Sequence, residues 1–150
     1  MKFLKSIHYC IITSNEPIIL CAYIRMGNNG NFIEHMHTGA IGAAIDIDSG
    51  IICTPGYDSC GNEYIFHPYS GKKIPGYHFK NWDKCIDLVK NLAKKVPEVR
   101  MVGWDMVIND RFEWLPIEGN HNCGFGLWQT AMHKGLAKKI ECIIEKEKRK

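Results

Sequence analysis

The chain has 150 residues, of which 45% are hydrophobic, and a formal charge of +3, enough for one folded domain with a real core. Residues 1–20 carry scattered polar and charged groups and no stretch is long and apolar enough to cross a bilayer, so the default expectation is a cytoplasmic protein with neither leader nor span. The positive charge is local: residues 134–150 hold seven Lys or Arg against three Glu, the rest is about neutral, and a nucleic-acid surface on the body of the domain is not expected.

In chain order, Ile18-Ile19-Leu20-Cys21-Ala22-Tyr23-Ile24 is a β-prone apolar run that ends at Arg25 and a Gly/Asn-rich loop over residues 26–31. Residues 39–47 read as a buried strand, and Asp48-Ser49-Gly50 before Ile51-Ile52-Cys53 predicts a β-hairpin. Residues 54–75 turn to Gly, Pro, Tyr and Ser, a loop or short strands expected to cover a site. Asn81 is placed to cap a helix whose apolar face is Trp82, Cys85, Ile86, Val89, Leu92, Ala93 and Val96, with Pro97 as its stop. Residues 99–108 and 114–120 predict two strands around a polar turn, and residues 129–146 one terminal helix. Strands followed by helix, hairpin and helix give an α+β fold with an antiparallel sheet and packed helices.

The hairpin carries the informative chemistry. Glu118 and Asn120 are two apart on a strand and share a face. With a four-residue turn over 110–113, Asn109 pairs with Trp114 and Asp105 falls opposite Glu118. Like charges so placed repel, so either one carboxylate keeps its proton or a cation sits between them. With Asn120 as a third oxygen donor, the set suits Mg²⁺ or Mn²⁺ better than Zn²⁺, and Mg²⁺ so held usually completes its shell with water and phosphate. The spacing alone is equally compatible with ordinary exposed strand residues.

The Asp105, Glu118, Asn120 order resembles the C-terminal signature of the ATP-grasp superfamily. Gly103-Trp104-Asp105 and Ile117-Glu118-Gly119-Asn120, with Arg25-x-Gly27, His67-Pro68 followed by Gly71, Ile74-Pro75 and Trp82, resemble one branch, the sugar-transfer-associated ATP-grasp family, over about residues 18–136. The resemblance implies that Asp105, Glu118 and Asn120 bind the metal and that Arg25 contacts a phosphate or acyl phosphate as the catalytic residue. It implies ATP and Mg²⁺ (or Mn²⁺) as cofactors, an unknown carboxylate or sugar-linked acceptor, ligase chemistry, and a link to polysaccharide or sugar-conjugate synthesis. It departs from the family at His35 and at Gly39-Ala40. At 150 residues the chain is expected to be one truncated domain, the C-terminal half of an ATP-grasp. The second reading is a non-catalytic remnant or a subunit that needs a separate N-terminal half, or acts as a homo-oligomer.

A zinc module ranks last. Its candidates are Cys53, Cys60 and His67, spaced seven and seven, or His35 with His37. The seven cysteines are odd in number, scattered and without a Cys-x-x-Cys pair, which reads as free thiols in a reducing compartment.

Overall fold

The β-prone run that starts at Ile18 folds as a strand with a partner on either side. The computed structural model describes residues 6–12, 16–27 and 39–149; the His35 and His37 pair and most of the Gly/Asn-rich loop lie outside them. Strands β1 (Ser6–Ile12), β2 (Ile18–Met26) and β3 (Ile41–Ile45) are joined by the short β4 (Gly56–Tyr57) and β5 (Glu63–Tyr64), and then come helix α1 (Trp82–Lys94), β6 (Met101–Ile108), β7 (Trp114–Asn120), α2 (Gly126–Met132) and α3 (Ala137–Lys148). The strands form one antiparallel sheet in the order β5-β4-β3-β2-β1-β6-β7. The α+β class read from the sequence is the class observed.

Helices cover both faces of the sheet, and two apolar clusters follow from this. On one face α1 brings Trp82, Cys85, Val89 and Ala93 against Ile7, Ile24, Val102 and Met106. On the other, Trp128, Ala131, Leu136 and Ile143 of the C-terminal segment meet Leu20, Cys21 and Ala44. All five residues of β3 are buried, which is why that strand reads as a continuous apolar run without alternation. Leu20 is the extra residue where the β1–β2 register shifts, and Lys139 Nζ donates to its carbonyl at 2.8 Å. A cation on the last helix thus satisfies an acceptor next to the break in the ladder.

The turn after β3 forms as expected. Asp46 Oδ1 accepts hydrogen bonds from the Ser49 amide at 2.8 Å and its hydroxyl at 2.6 Å, and Gly50 takes a positive φ of 69° beneath the Trp82 indole. Ile51 and Ile52 do not continue as a full strand, because Ile52 donates to Tyr77 O and Cys53 to Ala44 O, dividing their ladder between β3 and the 76–78 segment.

Two expectations about the helices are corrected. Asn81 holds the N-cap position of α1 but its side chain does not cap; its φ of 54° turns Nδ2 toward Phe112 O, 2.9 Å away in the β6–β7 turn. The single terminal helix is two helices, broken where His133 takes a left-handed φ of 49° and Gln129 Oε1 accepts from the Leu136 amide at 3.0 Å. The short strands expected in the 54–75 segment form as β4 and β5 and extend the sheet edgewise. Two further tryptophans are buried: Trp114 joins Phe79 and Trp82, with ring centroids 6.0 Å from each, and Trp128 joins the second cluster.

Candidate functional site

Asp105 and Glu118 are direct partners across β6–β7, although the turn is not the one the sequence suggested. The turn spans five residues, 109–113, so Ile108 and not Asn109 pairs with Trp114. Asn109 organises it: Oδ1 accepts from the amides of Arg111 and Glu113, both at 2.9 Å. In an uninterrupted ladder this would put Ile117 opposite Asp105 and send Glu118 to the α1 face. A bulge at Ile117 inserts one extra residue between the Met106–Pro116 and Asp105–Glu118 pairs, and Glu118 returns to the side of Asp105. The expected pairing is therefore reached by two departures that cancel.

Asn120 lies on the same side as Glu118, and its Nδ2 donates to Glu118 Oε1 at 3.0 Å. That bond uses the nitrogen end of the amide and leaves its carbonyl oxygen as an acceptor. Asp105, Glu118 and Asn120 then offer oxygens only, from adjacent positions, the donor chemistry of a hard divalent cation completed by water or phosphate. Among the described residues no three His, Cys, Asp or Glu side chains converge as around a metal; the set here counts two carboxylates and an amide. Of the zinc candidates, Cys53 and Cys60 are exposed, whereas His67 is buried and bonded elsewhere.

Arg25 shares this face. His8 pairs with Tyr23 in one direction and with Asp105 in the other, so Tyr23, Asp105 and Glu118 stand in one row across the sheet, and Arg25 follows Tyr23 by two residues on the same side. Strand spacing sets the Arg25 and Asp105 backbones roughly 12 Å apart, with β1 between them. Arg25 lies one row to one side of the Tyr23–Glu118 line and Asn120 one row to the other, since Asn120 pairs with Gly103.

Two close approaches shape the surroundings. A Cβ on Gly103 would come 2.5 Å from Cys123 Cβ, so the chain leaving β7 folds back over β6 two residues from Asp105. A Cβ on Gly42, the β3 partner of Arg25, would come 2.9 Å from Leu127 Cδ2; α2 thus sits beside Arg25. His67, a zinc candidate by sequence and part of the His67-Pro68 motif, is held by hydrogen bonds within the fold. Its Nε2 is 2.9 Å from Gly27 O and its Nδ1 accepts from the Ser70 amide at 3.3 Å, a pairing that needs the neutral Nε2–H tautomer. It ties the 65–74 hairpin to the end of β2, two residues beyond Arg25.

Tyr23, two residues before Arg25 on β2, lies on the same face of the sheet. Burial pushes the Tyr23 phenol well above its usual range; the Arg25 guanidinium pulls it down, while Asp105, Cys21 and Cys123 push it up. Tyr23 is therefore a neutral hydroxyl near both an arginine and a carboxylate. An open cleft of about 710 Å³ lies between α1, the start of β2 and the turn after β3, lined by Trp82, Ile86, Ile47 and Lys90, on the sheet face opposite these residues.

Among the described residues no helix is long and apolar enough to cross a membrane. Compared with known families, the chain matches sugar-transfer associated ATP-grasp over residues 2–145. A search among curated proteins returned no match.

Proposed function

The chain belongs to the sugar-transfer associated ATP-grasp family, and from that premise we propose that the Asp105–Glu118–Asn120 face binds Mg²⁺ (or Mn²⁺) and the phosphates of ATP for ligation of a carboxylate. The observation that carries this reading is the direct pairing of Asp105 with Glu118, with Asn120 bonded to the same carboxylate and Arg25 farther along the same face. Opposed carboxylates repel, and a bound divalent cation removes that repulsion while gaining their oxygens as ligands.

When bound, Mg²⁺ neutralises phosphate charge and holds the terminal phosphoryl group for attack. Asp105, Glu118 and the Asn120 carbonyl would hold the ion. Arg25 supplies a forked donor for phosphoryl oxygens, which lysine at that position would not reproduce. In ATP-grasp chemistry an acceptor carboxylate attacks the γ-phosphorus to give an acyl phosphate and ADP, and a nucleophile such as an amine then displaces phosphate. The residues named here contribute position and charge. His67 supports them by anchoring the strand that carries Arg25. The acceptor is proposed to be sugar-linked, a substrate of polysaccharide or sugar-conjugate synthesis, on the strength of the family alone.

Calorimetric titration of ATP into the protein, with and without Mg²⁺, beside Glu118→Gln tests the reading. Saturable Mg²⁺-dependent binding that the variant loses is expected. Binding equal in both proteins, or absent from the wild type, would overturn the assignment.

A further inference from the structure

The segment from Tyr64 to Trp82 contains Lys72, Lys73 and Lys80 and no Asp or Glu, whereas the chain outside it and outside residues 134–150 carries nine basic and thirteen acidic residues. A basic stretch is thus set in an otherwise acidic body. Its hairpin, residues 65–74, also holds three of the nine large apolar or aromatic side chains exposed among the described residues: Ile65, Phe66 and Tyr69. Exposed apolar side chains scattered singly need no explanation, but a cluster beside two lysines does.

The backbone decides which way the cluster points. The His67 amide donates to Lys72 O and the Gly71 amide to His67 O, both at 2.8 Å, and Ile74 donates to Ile65 O at 2.9 Å. Phe66 and Lys73 are then direct partners across the hairpin and share one face. His67 and Ile74, which alternate with them, are buried, so the Phe66–Lys73 face turns away from the body. Phe66 is 58% exposed and Tyr69, at the tip, 62%. Together with the His67 bond to Gly27 O, the backbone bonds hold this tip in place, and little ordering is needed on contact.

We propose that the 65–74 hairpin docks on the surface of a membrane containing anionic lipids, with Phe66 and Tyr69 entering the interfacial layer and Lys72 and Lys73 meeting headgroup phosphates. The tip of a hairpin is convex and does not enclose a small ligand, which needs a concave site. Its positive charge repels an identical hairpin, which argues against a second copy of this chain. Three lysines give too few phosphate contacts for lasting attachment to a nucleic acid. An anionic bilayer complements both halves of the patch: aromatic rings settle at the headgroup level, and adjacent lysines are drawn to its negative potential. No spanning segment is required for such attachment.

Co-sedimentation with vesicles tests the proposal, comparing phosphatidylcholine alone with phosphatidylcholine containing phosphatidylglycerol. ATP and Mg²⁺ are left out, so the outcome is independent of the metal reading. The wild type should bind the anionic vesicles and not the neutral ones. The Lys72→Gln, Lys73→Gln double variant should bind about 25-fold more weakly, at about fivefold per lysine, and Phe66→Ser, Tyr69→Ser about tenfold or more. Lys146→Gln, Lys148→Gln at the basic end of α3 should have less effect than either. All six positions are exposed, so the substitutions leave the core intact. In a second measurement, Tyr69→Trp should show indole emission that shifts to the blue on adding anionic vesicles, beyond any change in the wild type. Binding of the wild type to neither vesicle would overturn the proposal and leave the hairpin for a protein partner. Hairpin variants that bind as the wild type does, or loss of binding in the terminal variant alone, would overturn it as well.

Discussion

The indole of Trp104 lies over Gly119, its direct partner across the β6–β7 hairpin: a Cβ at 119 would come 2.8 Å from ring atom Cζ3 and 3.0 Å from Cη2. The tryptophan of Gly103-Trp104-Asp105 and the glycine of Glu118-Gly119-Asn120 are thus two halves of one contact, which holds the strands that carry Asp105 and Glu118. Gly119→Val should lower stability by about 1–3 kcal/mol through overpacking. Trp104→Leu in the same chain should recover part of that loss, because the two positions are coupled. Trp104 Nε1 is buried with no hydrogen-bond partner among the described residues, so Trp104→Phe should cost less than a buried tryptophan usually does. Urea denaturation of the single and double variants measures all three.

The opposed Asp105 and Glu118 should make the protein's melting temperature depend on divalent cation. Without Mg²⁺, Glu118→Gln removes a like-charge pair and should raise the midpoint by about 1–3 °C. With Mg²⁺ the wild type should gain stability and the variant should not. Melts with EDTA and with Mg²⁺ decide it, and a variant less stable under EDTA would show that the pair is not repulsive.

His67 should matter locally more than globally. His67→Ala removes the Gly27 and Ser70 contacts and should cost about 1–3 kcal/mol, the usual consequence of stranding buried polar groups. Amide exchange at Ser70 and Gly71 should accelerate first, while β1, β2 and β6 keep their protection. Uniform acceleration across the sheet would contradict a local clamp.

Acid should weaken the fold through two loop carboxylates. The Ser49 hydroxyl and amide hold the Asp46 carboxyl below its ordinary value near 3.8, and hydrogen bonds from the Asn62 side chain and amide, the Tyr64 hydroxyl and the Cys60 amide do the same for Asp58. A carboxyl with a depressed folded pKa binds its proton more readily in the unfolded chain. Its stabilisation is therefore present above the unfolded pKa and is lost as pH falls through the folded one, here from about pH 4 downward. The Asp46→Asn, Asp58→Asn double variant should be less stable than wild type at neutral pH and lose less on acidification. Urea midpoints between about pH 6 and pH 2 test the slope.

Elements with strong local signals were legible in the sequence. Helix α1 has a 3.6-residue apolar stripe and a proline after it, and β7 was bounded to the residue by Trp114 and Asn120. Signals that depend on contact were not. The break at His133 comes from a left-handed backbone and a glutamine side chain that bonds the next helix's start, neither of which interrupts the apolar period. Asn81 looks like a cap by residue type, yet its side chain finds an acceptor 31 positions away. At the candidate site, hairpin spacing offered Asp105, Glu118 and Asn120 and the family resemblance added Arg25, whereas the five-residue turn and the bulge that set their pairing depend on contacts that no local pattern displays.

The bulge at Ile117 has a bearing on how this hairpin tolerates change. The alignment of Glu118 with Asp105 combines the five-residue connection over 109–113 with the one-residue offset inside β7. Losing the offset alone would carry Glu118 to the α1 face. Turn length and bulge are two settings of one register, so descendants of this sequence that lose the bulge keep the acidic pair only if the connection changes with it.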